Sequence, residues 1–557
     1  MPHPRRLPWL AALGLILTGC QTNSPAGSPT VVEDATPPRL LTGLGPVHMS
    51  VTTADPQAQK FFDQGLALIY AFNHAEAARA FRHAATLDPR LAMAHWGLAY
   101  ALGPNINAPE IDADAAKAAR AAAQRAVELS VHASQAERDY INAIARRYPA
   151  DPKADLRKHA EEFAGAMKAV SRKHPTDVHA ATLYAESMMN LRPWQLYTPD
   201  GKPQPGTEEI VQTLEWVLAR DPNHTGANHY YIHATEASLN PGVAMAAAKR
   251  LPKLAPNAGH LVHMPAHVYI RTGDYASAIA ANEAASKVDE MYISCCGPSP
   301  KGAGAFYAAL YYSHNLHFLS VCAAMAGRSK EATAAANKLT ANVDPAIDAM
   351  PPVEGFAIFP ALVAVRQGQW YEILKAPAPK ANRHLTRAFH NFARAMAHLA
   401  TRNTAAALTE RDAFEAAAAK ADPKLPVGNN TAGQMIQIAR HVLAGKLAAA
   451  RNDTAAAKAE YEKAIALQDV MNYEEPPSWP WPVRETLGAH LLKTGDPAAA
   501  EAVFREDLKR TLNNPRSMLG LSESLKARGK HVDAETERKK FDAAWRDADM
   551  KLNVADY

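Results

Sequence analysis

Residues 57–89 read QAQKFFDQGLALIYAFNHAEAARAFRHAATLDP, and the spacing of their large and small side chains decides the fold. With Gln57 as position zero, Phe61, Leu68 and Phe81 stand at 4, 11 and 24. Gly65, Ala77 and Ala84 stand at 8, 20 and 27, and Pro89 at 32. Small residues at those points let two antiparallel helices approach closely, and the large ones fill the seam between them. Proline ends the second helix, because it lacks an N–H and clashes with the preceding turn. The stretch therefore predicts a helical hairpin.

The same register returns down the chain. Ala244, Ala248 and Pro256 mark one further unit, and Gly273, Ala278 and Ala285 the next. Gly327, Ala332 and Ala336 mark another, and Ala457, Tyr461 and Ala464 one nearer the C-terminus. Gly495, Ala500 and Phe504 mark the last clear unit, closed by Asn513-Asn514-Pro515. This pattern resembles the tetratricopeptide repeat (TPR), with Leu68 in place of the usual Tyr. The resemblance spans most of residues 55–535. It implies an all-α superhelical solenoid of about eight to ten antiparallel helix pairs, its concave face built from the first helices. Two stretches depart from the pattern, Arg192–Gly206 and Met291–Phe306. The expected divisions are N-terminal repeats over 47–220, central repeats over 221–345, C-terminal repeats over 346–540 and a tail over 541–557.

Composition agrees with stacked helices. The 557 residues are 48% hydrophobic but only 7% aromatic, which suits helix pairs better than a β-sandwich. Sixty basic and 56 acidic side chains leave a net charge of +4, spread without a basic block, so nucleic acid is not an expected partner. Arg5 and Arg6 precede the apolar stretch Leu7–Leu17, which reads as a secretory signal over residues 1–19. Leu17-Thr18-Gly19-Cys20 resembles a bacterial lipobox, which implies cleavage before Cys20 and lipidation of that cysteine. Residues 20–46, rich in Ser, Thr, Pro and Gly, read as a flexible tether. Gln21 after the cysteine resembles outer-membrane sorting. The expectation is a protein of the bacterial cell envelope, held to the outer membrane by acyl chains and facing the periplasm.

Eight of the 23 histidines lie between His224 and His317, and their spacing carries more than their number. His229 and His233 are followed 34 residues later by His263 and His267. His260 and His263 lie 13 and 10 residues before Gly273, and His314 and His317 lie 13 and 10 before Gly327. Three successive first helices thus carry histidine at matched heights. Within each helix the spacing selects one face: His229, His233 and Glu236 at i, i+4, i+7; His260, His263 and His267 at i, i+3, i+7; His314 and His317 at i, i+3. In TPR proteins these positions line the concave ligand-binding face, so the resemblance implies a shared site there.

Imidazole is the commonest metal ligand, and an i, i+4 pair on a helix is a two-point clamp. Seven histidines and a glutamate exceed the ligands of one ion, so a two-metal site, or one metal with acid–base partners, is expected from His229, His233, His260, His263, His267, His314 and His317. Nitrogen ligation favours Zn or Cu, is compatible with Fe and disfavours Ca and Mg. Such a centre would activate water or dioxygen for hydrolysis or oxidation, with Glu236 as the base. The other readings are a scaffold that binds envelope proteins or peptides, a groove for an anionic ligand, and imidazoles that merely pack along the seam.

Further residues stand beside the cluster. Arg271, at a concave position, is placed to hold an anion, and Tyr230 to line a pocket. Glu186 and Asn190, with His179, would extend the groove into an earlier repeat. Cys295-Cys296 could form a disulfide or a soft ligand pair, whereas Cys322 reads as a buried thiol. The segment Tyr473-Glu474-Glu475-Pro476-Pro477, with Trp479, Trp481 and Arg484, reads either as an inter-repeat loop or as a lid packed back onto the groove. No HExxH, P-loop, GxSxG or dinucleotide fingerprint occurs.

Overall fold

The computed structural model describes residues 37–149, 155–295 and 307–557. The expected signal peptide and Cys20 lie outside the described residues, as do the side chains of Cys295 and Cys296. The chain is all-α, a TPR-like solenoid of antiparallel helix pairs, with one short ribbon pairing Pro426–Val427 and Asn430–Thr431. Twelve pairs follow one another among the described residues, from Pro56–Tyr70 with His74–Leu87 to Pro515–Ala527 with His531–Ala544. That exceeds the expected number, because residues 100–220 and 340–440 also form hairpins whose side-chain pattern has diverged.

The first hairpin shows how each is made. Asp55 caps Pro56–Tyr70 by accepting from the Gln57 and Ala58 amides, and Pro56 sits in the first turn, where its missing N–H has no partner to lose. Phe81 then wedges between two helices of small residues. A methyl group on Gly65 would stand 2.6 Å from its ring, and one on Gly97 2.3 Å. Phe504 is held in the same way by Gly488 and Gly520.

The superhelix closes on itself. Gly273 and Gly327 end their first helices in the left-handed region, at φ of 75° and 72°. Both are turns with no room for a side chain: the Leu512 carbonyl oxygen and the Trp545 ring would each stand 2.4 Å from an added Cβ. The Tyr275 hydroxyl donates to the Leu512 carbonyl at 3.2 Å, and the Asp549 amide to the Gly327 carbonyl at 3.1 Å. Buried Arg366 pairs with Glu485 at 2.8 Å. The last hairpins are therefore laid against the central ones. From the other end, the Tyr70 ring covers Gly226. The described end of the 20–46 stretch is docked as well: Leu44 is buried, and the Asn257 amide donates to the Gly43 carbonyl at 2.9 Å.

The buried apolar residues form two main cores, one from Leu44 to Val268 and one from Ala266 to Tyr557. They meet on the helix Pro265–Thr272, and the histidine layer lies at that junction. Among the described residues no helix is long and apolar enough to cross a membrane. Phe81→Ala is expected to cost about 3–5 kcal/mol, the range for a buried aromatic truncated in a core that cannot collapse around it. Denaturant unfolding followed by circular dichroism measures this, and a loss under about 1 kcal/mol would show that the glycine-flanked wedge does not hold the hairpins together.

Candidate metal centre

Three first helices deliver the imidazoles. Thr225–Thr235 carries His229 and His233, and Glu236 stands at its C-terminal cap. The second helix is broken in two, Gly259–His263 and Pro265–Thr272, by the proline that cannot donate at that turn. Ser313–Met325 carries His314, preceded by a widened π-type turn over Ala308–Tyr312. Ligand atoms of His229, His233 and His260 lie within 4.8 Å of one another, and so do those of His263, His267 and His314. The two triads adjoin, with 5.6 Å between the His233 and His267 ring centres and 5.8 Å between those of His260 and His263. All six are buried except His314, which is partly open.

Hydrogen bonds place the proton on Nδ1 in three of the rings. His229 Nδ1 donates to the Tyr70 carbonyl at 2.7 Å. His233 Nδ1 donates to Glu236 Oε1 at 3.0 Å. His263 Nδ1 donates to Asn282 Oδ1 at 2.7 Å, and the Asn282 amide is oriented by its own bond to the Ala278 carbonyl. His267 Nδ1 faces the carboxylates Glu236, at 2.6 Å, and Glu475, at 3.5 Å. For His229, His233 and His263 these outer partners leave the Nε2 lone pairs pointing inward, the arrangement that orients histidine around a metal ion. The His263 and His267 Nε2 atoms stand 2.9 Å apart, and those of His229 and His260 3.1 Å. His233 Nε2 has no hydrogen-bond partner at all.

The site is enclosed rather than open. Phe72 stacks on His233 and His260 and meets the His229 ring edge-on at 4.5 Å. Trp194 meets His233 edge-on at 5.4 Å, and Tyr311 meets His260 at 5.1 Å. Phe72 and Trp194 both hold left-handed backbone, at φ of 56° and 59°. For a non-glycine residue that costs about 1–2 kcal/mol, and such strain clusters at functional sites. A cavity of about 20 Å3 reaches the cluster, lined by Ile106, Met189, Trp194, His233, Glu236 and Tyr473. It has room for one water-sized molecule. Larger clefts beside Asp139 and Lys173 and beside Leu519 and Leu552, of about 420 and 470 Å3, are not lined by the cluster.

Burial dominates the electrostatics. It holds His229, His260, His263 and His314 well below the ordinary histidine range, and neighbouring imidazoles add to the effect. These rings are neutral and available as ligands. For Glu236, burial alone would raise the pKa, but His267 and His233 outweigh it and keep the carboxyl ionised. Glu475 is pushed well above the usual carboxylate range by burial and by the Glu236 charge.

Of the residues read from sequence, His229, His233, His260, His263, His267, His314 and Glu236 are brought together. His317 is not: its ring lies 3.8 Å from that of Phe359 and also packs on Phe356. Tyr230 sits in the core against Tyr70, Phe72 and His229, its hydroxyl unpartnered. Glu186 is buried apart from the cluster, accepting from the Tyr100 hydroxyl and, at 2.6 Å, from Asn190 Nδ2. Arg271 is turned to internal groups, with Nε 3.6 Å from Glu475 Oε1 and a hydrogen bond to the Ser238 carbonyl at 3.1 Å. Cys322 is a fully buried free thiol. Sequence reading missed Asn282, Phe72 and Trp194, and did not single out Glu475 within its segment. Phe72 carried a signal, since it occupies the turn position that Gly273 and Gly327 hold in other hairpins.

No family model matches the chain, and no curated protein matches it in sequence. Solved structures similar to it include human IFIT1 as a dimer with m7Gppp-AAAA, at 12% identity and a TM-score of 0.34 over 82% of this chain and 90% of that one. Yeast Tom70 matches at 11% identity and 0.30, over 87% and 90%. The Cut9–Hcn1 assembly of the APC/C matches at 12% and 0.29, over 89% and 88%. Likenesses this low carry nothing about ligand or activity.

Acid titration tests the buried neutral imidazoles. Burial lowers His317 from 6.5 to about 3, and burial followed by the nearby His179 lowers His224 likewise. Below pH 6.5 the unfolded chain takes up protons that the folded one refuses, so stability is complete above that pH and is lost as pH falls toward 3. Metal-free protein should therefore show a falling denaturant midpoint between pH 6.5 and 4, with a slope shallower by one proton in His317→Leu. An unchanged slope in that variant would mean that His317 is already charged in the folded state.

Proposed function

We propose that this chain is a transition-metal protein whose ligands are the triads His229/His233/His260 and His263/His267/His314. The observation that carries the reading is the pair of Nε2 atoms of His263 and His267, 2.9 Å apart. His263 directs Nδ1 at Asn282 Oδ1, so its Nε2 lone pair faces the His267 nitrogen in a buried site. A cation held by both nitrogens would take the place of the hydrogen bond that a His267 Nε2–H makes to that lone pair. Nitrogen-only triads suit Zn or Cu, and Fe is compatible. With Glu236 ionised in the lining of the small cavity, the chemistry that fits is activation of a bound water or dioxygen for hydrolysis or oxidation, Glu236 serving as proton acceptor. Anchoring through a lipidated Cys20 would place this activity in the bacterial cell envelope, on the periplasmic side of the outer membrane.

A second reading is favoured by the repeat architecture itself. A TPR-like solenoid fits a scaffold that binds protein or peptide partners in the envelope without catalysis. The two readings separate on metal content. Full-length protein purified without a polyhistidine tag is expected to carry one or more equivalents of Zn, Cu or Fe by elemental mass spectrometry. The double variant His263→Ala/His267→Ala should lose at least one of them. Protein that arrives metal-free and refuses added Zn and Cu would sink the metal reading and leave the scaffold.

A further inference from the structure

Three buried polar atoms face one another without a hydrogen-bond partner: Glu236 Oε2, His267 Nδ1 and Glu475 Oε2. Their side chains are no more than 2% exposed. Although His267 Nδ1 is only 2.6 Å from Glu236 Oε2, the contact is out of line for a hydrogen bond. The atoms come from distant parts of the chain. Glu236 closes the helix Thr225–Thr235, His267 lies on Pro265–Thr272, and Glu475 comes from the strap that links Thr454–Asp469 to Val483–Lys493. The strap is fastened to the C-terminal core, where Trp481 Nε1 donates to the Leu362 carbonyl at 3.2 Å and Ser478 Oγ to the Val427 carbonyl at 3.0 Å. Glu475, whose other oxygen accepts from the Tyr473 hydroxyl and lies near Arg271, reaches inward to His267.

Two carboxylates this close and shielded from water repel each other, and each needs a counter-charge. Arg271 supplies one, from a side chain 29% exposed. Glu236 has the imidazoles of His233 and His267 as its ion-pair partners, and its Oε2 is left without a hydrogen bond. Carboxylate, carboxylate and imidazole nitrogen form an O,O,N donor set, harder than the all-nitrogen triads beside it.

We infer that Glu236, His267 Nδ1 and Glu475 form a cation position distinct from the two imidazole triads, taking a divalent transition ion such as zinc, and that its occupation latches the strap onto the centre. The inference rests on the metal reading proposed above, because His267 presents Nε2 to its triad and Nδ1 to this position. When both nitrogens ligate, the ring gives up its remaining proton to solvent, and the two ions on either side compensate the charge. The last zinc to bind thus joins the central repeats to the C-terminal ones.

The test uses full-length protein without a polyhistidine tag, stripped with chelator and titrated with zinc. Zinc is counted by elemental mass spectrometry, and hydrogen exchange follows peptides covering residues 470–482. In the wild type, exchange in the strap should slow by about tenfold or more as the last equivalent binds. Glu475→Gln should keep the zinc of the triads, bind one equivalent fewer and show no zinc response in the strap. The inference is overturned if that variant binds as much zinc and protects its strap as the wild type does. It is equally overturned if the wild-type strap ignores zinc while the triads fill, an arm that needs no variant to fold. A wild type that takes up no zinc removes the triads along with it.

Discussion

A layer of imidazoles between two apolar cores is stable only if most of its ring nitrogens have somewhere to point. A buried polar atom left unpaired costs about 1–3 kcal/mol, against a net stability of about 5–15 kcal/mol for a typical domain. Several such atoms together would rival the whole stability. The Nδ1 partners of His229, His233 and His263 are the Tyr70 carbonyl, Glu236 and Asn282, drawn from the first hairpin, from the end of the same helix and from a second helix of the central repeats. Satisfying the layer therefore requires the first hairpin to lie against the central ones. Closure of the superhelix and orientation of the imidazoles are one constraint seen from two sides.

The same constraint accounts for strained backbone where the repeat pattern would place glycine. Phe72 pays about 1–2 kcal/mol for a left-handed turn, and its ring then covers His229, His233 and His260. Trp194 does the same from the segment Arg192–Gly206, which interrupts the repeats. A glycine at either position would relax the turn and leave an apolar gap beside the rings. The retained strain fits a site that excludes bulk water while keeping a small cavity lined by Trp194 and Tyr473.

What could be read from the sequence follows from range. Hairpins are written locally: the large and small residues of 57–89 meet within one turn of chain, and Phe81 does pack between Gly65 and Gly97. The matched heights of His229, His233, His260, His263 and His267 were equally local, because adjacent first helices repeat the same register. His317 shared that register but depends on its neighbour. It stands about 60° around the helix from His314, and the next unit brings Phe356 and Phe359 to that side rather than another imidazole. Glu475 was illegible in its role because it lies more than two hundred residues from His267 and arrives only when the last hairpins fold back. The segment around it was legible as an anomaly of Pro and Trp, without its target.

Enclosure also bears on what a TPR-like face can do here. A concave groove normally offers its inner positions to a ligand, yet in the central repeats those positions are covered by Phe72, Trp194 and the strap. With room for about one water-sized molecule, the centre does not accept a peptide in its present form. A protein partner would therefore dock on surfaces away from the histidines, and the metal reading and the scaffold reading then concern different parts of one molecule. The strap is where they would communicate. Its far end is built into the C-terminal core through Trp481 and Ser478, and its tip carries the carboxylate that faces His267. Anything that shifts the last hairpins against the central ones moves Glu475 relative to the imidazoles, and the charge it leaves behind couples that movement to whatever cation the centre holds.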